Sequence, residues 1–200
     1  MNRNYSKELD ALIEKNQRDG IIPKLMLHAC CACCLSYVIE YLSPYFDITV
    51  LFYNPNITET EEYDYRLSET RRLVSEMSLL RKVEVISPLY DPDAYLCVVK
   101  GQENVKQGGS RCSLCFDMRL KKTAQLAKEY SCDYFATTLT ISPLKNSSII
   151  NSIGERVADE YGVKYLCSDF KKKNGYKRSI ELSREYNLYR QNYCGCIFSK

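Results

Sequence analysis

The chain has 200 residues, with 28 Lys+Arg against 25 Asp+Glu, one histidine, no tryptophan and eleven cysteines. With 45% hydrophobic and 26% charged residues it is apolar enough to bury one core, which excludes a disordered chain. No window sustains the apolar run that a membrane helix needs. The odd cysteine count and the polar N-terminus speak against a secreted disulfide scaffold. A cytoplasmic protein is expected, with thiols serving metal or redox chemistry.

Charge is uneven. Residues 1–110 carry 12 Lys+Arg against 16 Asp+Glu, and residues 111–200 carry 16 against 9. A basic C-terminal half suits a polyanionic partner, and an ordinary solvated surface would give the same count.

In chain order, residues 1–20 read as an amphipathic helical extension, with Ser6 as N-cap and Leu9, Leu12 and Ile13 on one face. Residues 21–200 form the main domain. "LMLHA" (25–29) predicts a strand, and 34–45 a helix closing near Pro44. "DITVLFYN" (47–54) predicts a second strand, 61–77 a long helix, and "KVEVISP" (82–88) a third strand. A helix over 91–100 is capped by Asp91 with Pro92 at its first position. Further helices are expected over 113–130, 146–162 and 176–187, and strands over 132–139 and 163–168. The alternation implies a parallel sheet, a Rossmann-like α/β domain with helices on both faces and a C-terminal tail closing over the strand ends. Ligands of such sheets sit beyond the carboxyl ends of the strands.

The cysteines fall in three clusters. "LHACCACCLS" places Cys30, Cys31, Cys33 and Cys34 directly after the first strand. "RCSLC" places Cys112 and Cys115 as a C-x-x-C at a helix start. "YCGC" places Cys194 and Cys196 near the C-terminus. A C-x-x-C opening a helix serves either redox activity or metal binding. With the vicinal pair on the same sheet edge, four thiolates suit zinc or an iron–sulfur cluster, and spacing does not choose between them. The one-residue spacing of Cys194 and Cys196 disfavours a relaxed disulfide and suits an electron relay; the other reading makes one of them a metal ligand. Cys97, Cys132 and Cys167 read as small buried hydrophobes. His28 reads as a satisfied core residue, or as a donor behind the metal ligands.

"LHACCACC", "RCSLCFDMRL", "TTLTISPLKN" and "FKKKNGYKRSIELSREYNLYRQNYCGC", in this order from Lys24 to Cys196, resemble the epoxyqueuosine reductases of the QueH type. The resemblance implies reduction of epoxyqueuosine to queuosine at the wobble position of the tRNA anticodon, the last step of queuosine biosynthesis. It implies a [4Fe–4S] cluster on Cys30, Cys31, Cys112 and Cys115, an additional mononuclear iron and no cobalamin. It gives Cys194 and Cys196 the part of a redox-active disulfide. The family pattern "CCAPC" has proline where this chain has Cys33, an extra thiol. Cys34 falls where the family has Cys or Asp, which assigns it to the second iron.

Removing an epoxide oxygen takes two electrons and two protons, and Asp117, Tyr193 or water are candidate proton donors. Lys145, Lys171, Lys172, Lys173 and Arg190 are candidate tRNA contacts, with Tyr176 beside them for stacking. "SPLKN" ends at a helix N-terminus, a natural anion site. No glycine-rich phosphate loop is present, and no ATP use is expected. The expected partners are tRNA carrying epoxyqueuosine and an unidentified electron donor, with no membrane. Two other classes fit the thiols: a zinc-stabilised RNA-binding module, and a thiol–disulfide oxidoreductase independent of metal.

Overall fold

The computed structural model describes residues 3–199. Five strands, β1 (Lys24–His28), β2 (Asp47–Leu51), β3 (Glu84–Ile86), β4 (Tyr134–Thr137) and β5 (Lys164–Tyr165), form one parallel sheet in the order β3-β2-β1-β4-β5. Seven helices surround it: α1 (Tyr5–Arg18), α2 (Ala32–Leu42), α3 (Thr60–Glu76), α4 (Pro92–Val98), α5 (Ser110–Glu129), α6 (Ser147–Tyr161) and α7 (Gly175–Glu185).

Alternation along the buried strands sorts the core into two layers. Leu25, Leu27, Ile48 and Val50 face one side, where they meet Leu9 and Ile13 of α1, Leu35 and Ile39 of α2 and Leu73 of α3. Met26, Leu51 and Phe135 face the other, against Leu120 and Ala124 of α5 and Ile150 and Val157 of α6. Burial on both faces is why the strands read as near-continuous apolar runs. The amphipathic α1 thus docks on the same core as α2. Among the described residues no helix is long and apolar enough to cross a membrane.

The sheet order reverses direction between β1 and β4. Crevices of this kind, outside the carboxyl ends of the two strands, are where open α/β sheets bind ligands.

Several boundaries differ from the sequence expectation for local reasons. The N-cap of α1 is Asn4, whose side chain accepts from Lys7 N, so Ser6 lies inside the helix. α5 starts at Ser110, which puts Cys112 in its first turn. The fourth strand stops at Thr137, because its hydroxyl accepts from Leu139 N at 3.2 Å and turns the chain into a 3₁₀ turn over Thr138–Ile141. The fifth strand stops at Tyr165; beyond it the side chain of Asn151 bonds both the carbonyl and the N–H of Ser168, at 2.8 and 3.0 Å, where a strand partner would otherwise be. Asp91 caps α4, and Gly162 closes α6 with φ of 71°. That left-handed conformation is the one glycine adopts without steric cost.

Candidate metal and thiol centre

The loop after β1 leads straight into α2, and its cysteines sit at the N-terminus of that helix. Cys31 is the cap residue and Cys34 lies in the first turn. Exposed N–H groups and the helix dipole favour negative sulfur there. Cys30, Cys31 and Cys34 hold their sulfurs within 4.8 Å of one another, and among the described residues this is the group whose ligand atoms converge so closely. Cys30 and Cys31 are 3.9 Å apart at Sγ. The turn after β4 reaches across: Thr138 Oγ1 accepts from Cys30 N at 3.2 Å and lies 3.5 Å from Cys30 Sγ as donor. Both arms of the β1/β4 crevice therefore build the site.

The three thiols are tied to one another by hydrogen bonds. Hydrogen bonds from Cys31 and Cys34, helped by the charges of Lys145 and Arg119, hold Cys30 well below the usual thiol range despite burial. Donation to Cys30 pushes Cys31 up to about 12 and Cys34 well above its ordinary value. A sulfur-only donor set at a helix N-terminus suits zinc or iron–sulfur chemistry.

Cys112 and Cys115 come from the first two turns of α5. They line a cavity of about 110 Å³ together with Lys145, Cys194 and Cys196. The triad opens instead into a cleft of about 340 Å³ lined also by Tyr176, Arg190, Tyr193, Cys194 and Lys145. Cys194 and Lys145 border both spaces and join the two thiol groups. Burial pushes Cys115 up to about 12 against the pull of the neighbouring Arg119. Cys112 Sγ accepts from Gly108 N at 3.2 Å. A separate depression of about 470 Å³ lies between α3 and β3 against Met77, Leu80 and Arg81, and no cysteine lines it.

The terminal tail lies over the strand ends, held by residues that no sequence motif marks. Arg66 of α3 donates to the carbonyls of Cys194 and Tyr193 at 3.3 and 3.5 Å, and its guanidinium stands 5.2 Å from the Tyr193 ring centroid. Gly195 has φ of 97°, and a Cβ there would stand 2.7 Å from Ile57, so only glycine fits this close crossing. Cys194 and Cys196 carry free thiols. Cys196 is buried beside Cys115 and Val99, with Sγ 2.8 Å from the Tyr95 hydroxyl. Arg111 gathers the polar loop over 101–109 by donating to the carbonyls of Glu103 and Val105, and ties it to Phe198 O at 3.2 Å.

Behind the thiols lies a buried polar chain. Arg119 donates from Nε to His28 Nε2 at 3.2 Å and from Nη2 to Asn54 Oδ1. Guanidinium has no acceptor, so this contact fixes the imidazole proton on Nδ1, which donates to Thr137 Oγ1 at 2.8 Å. The Tyr53 carbonyl, 3.2 Å from the same Nε2, then makes no hydrogen bond with it. Burial, and then the Arg119 charge, pull His28 down to about 3. His28 is thus a buried neutral residue supporting the site floor. Arg119 was legible as the i+4 neighbour of Cys115 on one helix face.

Other sequence candidates land elsewhere. Cys33 also lines the thiol cleft, but its sulfur is not among the three that converge, and it donates to Tyr189 O at 3.2 Å. Cys97 is exposed on α4, and Cys132 and Cys167 are half-buried, so none of the three is a fully buried hydrophobe. Asp117 pairs with Arg156 of α6 and with Lys121, outside both cavities. Lys171 pairs with Asp169, and Lys173 with Asp10 of α1. Lys172 and Lys173 border a small cleft with Tyr37 and Tyr41 of α2, whereas Lys145 and Arg190 line the thiol cleft itself.

Fold and site together define a parallel α/β protein with a metal-capable thiol centre at its switch point. The family described as Epoxyqueuosine reductase QueH matches residues 25–200. Relatives named Epoxyqueuosine reductase QueH include one from Streptococcus pyogenes serotype M1, 45% identical over 98% of this chain and 78% of its own length. One from Staphylococcus epidermidis is 43% identical over 98% and 84%, and one from Thermotoga maritima is 35% identical over 88% and 89%. The chain belongs to the epoxyqueuosine reductase QueH family and is an oxidoreductase of that kind.

Proposed function

We propose that this chain reduces the epoxide of epoxyqueuosine to the alkene of queuosine within tRNA, using an iron–sulfur centre. In this reading Cys30, Cys31, Cys112 and Cys115 hold a [4Fe–4S] cluster, Cys34 serves an additional iron, and Cys194 with Cys196 form the redox pair. The observation that carries it is the convergence of Cys30, Cys31 and Cys34 beneath a cleft that Cys194 also lines. The donor chemistry fits the group: sulfurs at a helix N-terminus, Cys30 among them held well below the usual thiol range, with Lys145 and Arg119 nearby as cations.

The overall change converts the epoxide, two electrons and two protons into the alkene and water. When bound, the iron–sulfur centre supplies one-electron transfers and a Lewis-acidic iron. Oxidation of the Cys194 and Cys196 thiols to a disulfide releases two electrons and two protons, which matches the demand of one turnover. An external reductant then restores the dithiol. Lys145 and Arg190 bring positive charge to the cleft wall for tRNA phosphate, and Tyr176 and Tyr193 offer ring faces to unstacked bases. Arg66 holds the tail so that Cys194 faces the cleft.

The test is iron and sulfide analysis of anaerobically purified protein, with its visible spectrum. The proposal expects stoichiometric iron and sulfide, and a broad absorption that bleaches on reduction. A colourless protein holding one zinc would replace it with the zinc-stabilised RNA-binding reading.

A further inference from the structure

Arg119 is only 1% exposed, and its partners cannot neutralise it. They are the neutral imidazole of His28, the amide oxygen of Asn54 and the sulfur of Cys115, 3.9 Å from Nη1. Among the described residues no carboxylate forms an ion pair with it. The other buried arginines are served differently: Arg66 has Glu62 at 2.6 Å, and Arg111 is held by backbone carbonyls. A cation taken out of water needs an anion nearby. For Arg119 the nearby groups that become anions on binding a metal are sulfurs.

We infer that Arg119 is the fixed counter-charge of the metal–thiolate centre and holds its reduction potential up. The inference rests on the proposal that these thiols bind an iron–sulfur centre. One-electron reduction adds a negative charge to such a centre without making or breaking a bond in the protein. A buried cation beside a ligand sulfur stabilises the more negative state more strongly. The guanidinium cannot swing away. His28 is anchored to Thr137 of β4, and Asn54 donates to the carbonyl of Ala29 at 2.9 Å, directly before Cys30. Arg119 touches no reacting atom and is a positioning residue.

The experiment is an anaerobic redox titration of the iron-loaded protein, followed by visible absorption and electron paramagnetic resonance. Arg119→Gln should disfavour reduction about tenfold, equivalent to about 59 mV toward more negative potential. Arg119→Lys, which keeps the charge, should shift it far less. Asn54→Asp is near-isosteric and puts a carboxylate on the same guanidinium. It should move the potential in the Arg119→Gln direction, and it decides the matter should Arg119→Gln fail to fold. Wild-type potentials in Asn54→Asp and in any folded Arg119→Gln overturn the inference. A wild-type protein lacking iron and sulfide overturns instead the site reading beneath it.

Discussion

The guanidinium of Arg66 donates to the carbonyl oxygen of Cys194 at 3.3 Å, and this bond ties the terminal CGC segment to α3. Charge-assisted hydrogen bonds contribute ~1.5–3 kcal/mol. Arg66→Met should therefore lower stability by about that amount and speed amide hydrogen exchange over residues 193–196 selectively. Gly195→Ala should loosen the same segment, since its φ of 97° and the approach to Ile57 admit no Cβ. Unchanged exchange in both variants would mean that the tail is held by other contacts.

The cysteines should divide by role. Cys30→Ala should lose iron and colour, because its sulfur converges with those of Cys31 and Cys34. Cys33→Ser should keep both, as its sulfur is committed to Tyr189 O. Cys194→Ser and Cys196→Ser should keep full iron yet lose turnover, as a relay requires. Metal analysis beside single-turnover assays separates these outcomes, and a fall in iron in either tail variant would make that residue a ligand.

Binding of tRNA should weaken steeply as salt rises. Lys145→Gln and Arg190→Gln should each reduce the slope of log affinity on log salt by about 1. Neutralising Lys171, Lys172 and Lys173 together should weaken binding less, because Lys171 and Lys173 already have carboxylate partners. A larger effect from the triple variant would move the RNA surface toward α1.

Glu69 gives a pH signature. Hydrogen bonding from Arg72, with the Tyr189 N–H, holds its carboxyl below the ordinary value of 4.5. The unfolded chain then binds the proton first as pH falls. The stabilisation is complete above 4.5 and is lost as pH drops through the lower folded value. Urea unfolding of wild type and Glu69→Gln across this range should show a stability difference that shrinks with acid. A difference independent of pH would mean that the carboxylate charge is not what holds Tyr189.

What the sequence disclosed was local. Four cysteines following an apolar run placed the triad at a strand end, because the loop, the cap and the helix N-terminus are contiguous. Strand positions followed from apolar runs, whereas strand ends did not: Asn151 takes over from the ladder at Ser168 through its side chain. Contacts distant in sequence left no local mark. Nothing near Arg66 announces Cys194, 128 positions away, and nothing near Tyr95 announces Cys196, 101 positions away. Lysine clusters counted as charge left open which lysines already face a carboxylate, as Lys171 and Lys173 do.

The most direct measurement is nucleoside analysis of tRNA bearing epoxyqueuosine after anaerobic incubation with reductant, using iron-loaded and iron-depleted protein. The account predicts queuosine, with one oxygen lost from the nucleoside, from the loaded protein alone. Failure of fully loaded protein to convert the substrate, or equal conversion after iron is removed, would contradict it.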